Sequence, residues 1–296
     1  MLRSSNPVLS RQDAFTPGQY AGQPYQQPAG PNSVYPGQAP QGYQQPGYQP
    51  GYEPQGYGVP PQQQGPIQQQ PAEGRMTIDD VITKTAILLG ILIISAAAAF
   101  FLMPAALMYP AMIVTGLGTV VLSWLVVARR RVNPVMAGVF AVVEGVFVGM
   151  ISSIFENVYP GIVASAIFAT LVAAGVTLAA YKFVGVRVKG LVAKVAVIGT
   201  IAFAVAMLLN FGLSFFGINL GLRAGVTGPV TPLAIGVSLI AVVLCVLNLF
   251  LDFQHIERGI QMGAPANESW RGAFGLMVTL VWLYVELLRI ISYFRR

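Results

Sequence analysis

The chain has 296 residues, of which only 9% are charged, with a mean hydropathy of +0.64 and a formal net charge of +6. Soluble domains carry roughly one quarter charged residues, so the composition excludes that class and points to a membrane protein. The basic excess does not point to nucleic acid, because Lys and Arg gather at the ends of apolar runs, where membrane topology accounts for them.

From Gln19 to Gln70 the chain is built of Gly, Pro, Gln and Tyr, in units such as GYQQPGYQPGYEPQGYG, with no periodic apolar face. Such a segment cannot bury enough surface to offset its chain entropy, so residues 1–75 are expected to form a disordered tail. Its spaced tyrosines leave two uses open, a plain spacer or a weak multivalent docking segment. The first apolar run begins only after residue 80, nothing before it reads as a signal peptide, and the tail is expected in the cytoplasm. The second domain, residues 76–296, opens on MTIDDVITKTAILLG. There Thr77 supplies an N-cap, and Asp79 and Asp80 bring negative charge to the first helical turn.

A helical span needs about 20 mostly apolar residues. The chain supplies seven such runs, over residues 83–103, 107–128, 135–155, 161–181, 191–216, 231–256 and 271–292. The links are short and carry Pro or Gly (Pro104, Pro134, Pro160, Gly185, 225–229, 263–265), so neighbours run antiparallel and pack as one all-α bundle. The second link carries Arg129, Arg130 and Arg131 and the fourth Lys182, Arg187, Lys189 and Lys194, whereas the first and third carry none. That asymmetry puts the tail on the cytoplasmic side of the cell membrane. Arg295 and Arg296 run against it, since seven full crossings place them outside; the side of the C-terminus is open at this point. Gly145 and Gly149, four residues apart in the third run, allow close helix approach. Tyr109, Tyr159, Trp270 and Tyr293 read as interfacial anchors near span ends.

Three acids lie inside or against the spans: Glu144 in FAVVEGVFVGM, Asp252 in LFLDFQHIERG and Glu286 in WLYVELLRIIS. An ionised carboxylate costs several kcal/mol in a bilayer core without a partner, water or a proton, so such residues mark functional sites by default. Asp252 and Glu286, on the last two runs, are expected to meet inside the bundle and share a proton or a cation. The plain alternative is that each snorkels from a helix end. Two carboxylates forced together in a low dielectric cannot easily both ionise, so the pair would titrate as a unit and sense pH. Their oxygens would also be metal ligands for calcium, with carbonyls and water completing a shell of about six to eight. Arg289, three residues after Glu286, either neutralises that acid or snorkels to the surface. Glu144 either joins an ion path or stays protonated against a neighbouring helix. Asn210 and Asn248 read as interhelical hydrogen-bonding groups, and Cys245 as a small core residue. His255, the single histidine, reads as solvated or capping, with a secondary part in proton exchange at Asp252 left open. No GxGD, HExxH, nucleophile elbow or phosphate loop occurs, so neither an enzyme nor a cofactor is expected.

The seven-run plan, Glu144-Gly145 followed by Gly149, the DFQHIERG segment at 252–259, GAP at 263–265 and WLYVELLRI at 282–290 resemble the Bax inhibitor motif family, in its bacterial branch. The resemblance covers residues 76–296. It implies six helices around a central C-terminal helix, working as a pH-sensitive calcium leak. It further implies that Asp252 and Glu286 are the proton-sensing pair, and that one of Arg129, Arg130 and Arg131 latches them in the closed state. This sequence departs from the family in carrying Glu rather than Asp at 286 and a longer segment between the two acids. It also reads IVTGLGT around Thr115, where the family has a calcium-associated glutamate on the second helix; Glu144 would have to take that role. The expected function is a pH-gated cation leak of the cell membrane, calcium the expected ion, in contact with the lipid bilayer. Two readings compete with it: a non-conducting regulator of membrane proteolysis or stress survival that binds a membrane-protein partner through helix contacts, and a proton-coupled carrier.

Overall fold

The computed structural model describes residues 74–295, apart from 130, 215 and 219, so the expected tail lies almost wholly outside the described residues. Seven long helices follow: α1 Ile78–Leu102, α2 Ala105–Ala128, α3 Pro134–Val158, α4 Ile162–Ala179 prolonged by a wider turn Ala180–Val184, α5 Gly190–Ser214, α6 Pro232–Gln261 and α7 Glu268–Phe294. All seven are long and apolar enough to cross a membrane, which makes this a multi-pass protein of the lipid bilayer.

The helix starts are written in local chemistry. Thr77 accepts from Asp80 N at 3.2 Å, Asn133 from Val135 N at 2.9 Å and Thr231 from Ala234 N at 3.1 Å. Pro134 and Pro232 sit in the first turns, where no backbone N–H is missed. Glu156, near the end of α3, caps α4 instead: its two carboxylate oxygens accept from Gly161 N and Val163 N at 2.5 and 3.0 Å.

Loop contacts sort the helix ends into two groups. At one end, called here the near end, Met76 N donates to Ala264 O at 2.8 Å and Ala266 N to Gly74 O at 2.7 Å, stitching the start of α1 to the GAP turn. Arg271 at the start of α7 reaches the Arg129 carbonyl at the end of α2. At the far end, Tyr159 in the α3–α4 link donates to Val226 O in the α5–α6 link at 3.1 Å. Arg295 donates to Pro160 O at 2.9 Å and to Ser165 Oγ at 3.0 Å. The last helix therefore runs the full length of the bundle and ends opposite the start of α1, where Arg295 is held by the α3–α4 turn.

In the middle stands α7, the helix with the most buried positions, packed directly against α1, α3, α4 and α6. Of the outer helices, α2 leans on α3 and α5 on α6. In α5 only Ala196 is buried. The glycine pair does what its spacing implies: a Cβ on Gly145 or Gly149 would run into the α1 backbone at Leu92 or Ala96, so α1 and α3 meet backbone to backbone. Of the four expected interfacial aromatics, Tyr109 is exposed, whereas Tyr293 is buried within the bundle. Trp270 packs against the core beneath Lys84, and Tyr159 is spent on the link contact.

Candidate functional site

The seam between α6 and α7 carries both acids of the expected pair, and the structure does not bring them together. These helices form an antiparallel hairpin turning at Gly263–Pro265, so residues equally far from the turn face one another across the seam. Asp252 lies thirteen residues before Pro265, and Thr279 lies fourteen after it. Thr279 Oγ1 accordingly donates to Asp252 Oδ2 at 2.7 Å. Gly275, one turn earlier on α7, leaves room for the carboxyl, since a Cβ there would stand 3.4 Å from Asp252 Oδ1. Glu286 is seven residues beyond Thr279, about 10 Å further along the helix axis and on nearly the same face. Its counterpart on α6 is Cys245, seven residues before Asp252 and fully buried, which feels the Glu286 charge. The expected shared-proton pair is thus two separate rungs, Asp252 with Thr279 and Glu286 opposite Cys245. At that separation the two carboxylates cannot ligate one ion together, and among the described residues no group of three or more His, Cys, Asp or Glu could hold a metal.

Glu286 is 1% exposed and pairs with a cation that the sequence reading passed over. Arg223, from the far-end link between α5 and α6, reaches into the bundle, and its Nη2 donates to Glu286 Oε1 at 2.6 Å. The guanidinium also stands over the Phe203 ring of α5, 5.5 Å from its centroid, with Nε against Met207 Sδ. Glu286 Oε2 has no hydrogen-bond partner. Arg289, one turn on along α7, interacts electrostatically with both Arg223 and Glu286, and its Nε is buried without a partner. The cluster therefore holds two guanidinium groups around one carboxylate.

The expected latch does not form. Arg129 and Arg131 lie exposed at the near end and reach neither acid, and Arg130 lies outside the described residues. Their place is wrong for Glu286, which sits in the far half of α7 and is met from the far end. A signal for Arg223 was present in the sequence: it is the lone charge in LGLRAGVTGPV, on a link that the positive-inside pattern leaves poor in basic residues.

Glu144 faces a different seam, between α3 and α2, within hydrogen-bonding reach of the buried Thr119 hydroxyl. Thr119 is one turn from Thr115, so the α3 acid does stand against the stretch of α2 that lacks a carboxylate of its own.

Several conspicuous polar residues are structural. Gln254, with its amide oriented to satisfy both groups, donates to Val188 O at 3.1 Å and accepts from Val188 N at 2.9 Å. Glu257 accepts from the Tyr181 hydroxyl and pairs with Arg187 at 3.1 Å, while Arg187 stacks on Tyr181. The DFQHIERG segment thereby straps the α4–α5 link to α6, and His255 is left exposed. Asn248 donates to Thr200 Oγ1 at 2.6 Å, joining α6 to α5 as expected, whereas the buried Asn210 Oδ1 finds no partner. A cavity of about 470 Å³ between α1, α3, α4 and α7 is lined almost wholly by hydrocarbon, including Leu92, Phe100, Ile167 and Leu171, and its hydroxyls, on Ser152, Thr170 and Tyr284, are already hydrogen-bonded.

A family model described as Bax inhibitor 1 like matches residues 6–296, extending the motif resemblance into the tail. No curated protein matches the chain.

Proposed function

The chain belongs to the Bax inhibitor 1 like family, and from that premise we propose that it is a pH-sensitive cation leak of the cell membrane, with calcium as the ion. The observation that carries this reading is the two-rung seam, which sets one carboxylate in each half of the central helix pair. Conduction needs sites strong enough for an ion to enter and weak enough for it to leave. Single carboxylates about 10 Å apart along one helix suit successive stops better than one closed cage of six to eight oxygens does. Sensing then falls to Asp252, whose partner is a neutral hydroxyl. A protonated carboxyl is a poor ligand for a hard cation, so flux rises with pH as that station loses its proton.

The near end is the cytoplasmic one in this reading. It carries Arg75, Lys84, Arg129, Arg131, Lys182, Arg187, Lys189, Lys194, Arg258 and Arg271, against Arg223, Arg289 and Arg295 at the far end among the described residues. The competing regulator reading leans on small-residue faces for a partner helix, and the face built on Gly145 and Gly149 is already filled by α1.

The test is calcium flux into liposomes holding the purified full chain, between about pH 6 and 8. The wild type is expected to conduct and to conduct more at the alkaline end. If Asp252→Asn combined with Glu286→Gln leaves both the flux and its pH profile unchanged, the carboxylates are not the stations and the proposal fails.

A further inference from the structure

We propose that Arg223 is a removable plug at the far end, closing an aqueous path to the α6–α7 seam by occupying Glu286; the plug's consequence for conduction rests on the leak reading above, its existence does not. Arg223 comes from a link between helices, not from a helix, so its position is set by the loop. That loop is pinned by the Tyr159 bond to Val226 and by Thr231 Oγ1, which donates to Gly221 O at 3.5 Å. Movement of this link withdraws the cation without unwinding a span.

Three features separate this contact from an ordinary structural ion pair. Glu286 is almost fully buried and keeps one carboxylate oxygen without a partner, so the pair leaves half its ligand capacity unused. A second cation, Arg289, stands beside the same acid with its Nε unpaired, so Glu286 need not be left alone when Arg223 leaves. A cluster of two guanidinium groups and one carboxylate also carries excess positive charge, which repels an entering cation while Arg223 is seated. Withdrawing Arg223 leaves one acid and one base there, and the repulsion falls.

The chain carries its own reporter. Cys245 is the single cysteine, fully buried, and faces Glu286 across the seam. In lipid nanodiscs, an uncharged, water-soluble methanethiosulfonate reagent, which the cluster's charge neither attracts nor repels, tests whether water reaches it: the thiolate attacks the reagent's sulfenyl sulfur, forms a mixed disulfide and expels sulfinate. Wild-type Cys245 is expected to label slowly, and Arg223→Lys to behave similarly. Arg223→Ala and Glu286→Gln, which break the pair from opposite sides, are each expected to label about tenfold faster or more, a ratio set by about 1.4 kcal/mol of closing free energy. Two controls accompany each variant: a thermal melt, and complete labelling in SDS. If both variants are folded and Cys245 stays as protected as in the wild type, the plug is overturned. Where one variant does not fold, the other decides. Protected Cys245 with normal calcium flux overturns the plug and leaves the leak standing; exposed Cys245 with no flux in any variant keeps the plug and overturns the leak.

Discussion

The two rungs of the α6–α7 seam hold the same functional group in opposite ways. At the near rung Asp252 is met by a neutral hydroxyl, Thr279; at the far rung Glu286 is met by a guanidinium. A hydroxyl offers one hydrogen bond and no charge, so an ionised Asp252 still calls for a proton or a cation. Glu286 is compensated already, and a charge removed from that rung strands its partner. The comparison divides the labour: the near rung answers to pH and cation concentration, and the far rung closes. It also explains how a seam can carry two membrane acids without pairing them, since charges two helical turns apart can be managed one at a time.

The division is broken first, and with the largest effect, at the far rung. Glu286→Ala leaves the half-buried Arg223 and Arg289 without their acid, and losing one partner of a buried ion pair costs up to about 3–5 kcal/mol. A thermal or denaturant melt of the purified chain should show that loss. Arg223→Ala is expected to cost less, because Arg289 remains to compensate Glu286. If the two variants melt alike, Arg289 does not act as a second partner. The near rung is next. Thr279→Val removes the donor and leaves the carboxyl of Asp252 unsatisfied, for about 1–3 kcal/mol. Its more telling effect is on flux, whose pH profile should move, while the protection of Cys245 stays as in the wild type. A change at Cys245 in Thr279→Val would mean that the rungs are coupled.

How much of this could be read beforehand differs between helices and partners. The spans were legible because about twenty apolar residues between Pro and Gly links leave few alternatives. Thr77 marked a helix start with the side chain that caps it, and Gly145 with Gly149 marked the closest helix contact. The end of α6 was less so. Apolar character fades near residue 256, but the helix runs to Gln261 because Gln254 and Glu257 are held by the α4–α5 link, a tertiary contact that no local pattern carries. The acids were recognisable as lying within the spans, yet the partner of each was not, because adjacency of two runs does not carry the register of the hairpin. Counting outward from Gly263–Pro265 sets Asp252 against Thr279 and Cys245 against Glu286. Arg223 was lost for another reason. Its link was read for the glycines and proline that break helices, and a loop side chain that folds back into a bundle leaves no periodic signature.

The smallest expected effect on stability sharpens the comparison most. Asp252→Asn keeps the size of the side chain and keeps a carbonyl oxygen to accept from Thr279 Oγ1, so the hydrogen bond survives, and the cost should stay within about 1 kcal/mol, the scale of a single neutral hydrogen bond. What the substitution removes is the ability to gain or lose a proton. In the wild type, rising pH strips the proton from the near rung, turns it into a ligand and raises calcium flux. The asparagine stays neutral throughout, so the part of the pH profile that belongs to this rung should flatten, with flux held near its low-pH level. Cys245 should remain protected, because the far rung is untouched. A folded Asp252→Asn protein whose flux still climbs with pH as in the wild type would move the titrating group elsewhere, and Glu144, which faces Thr119 on the α2–α3 seam, is the next acid to neutralise.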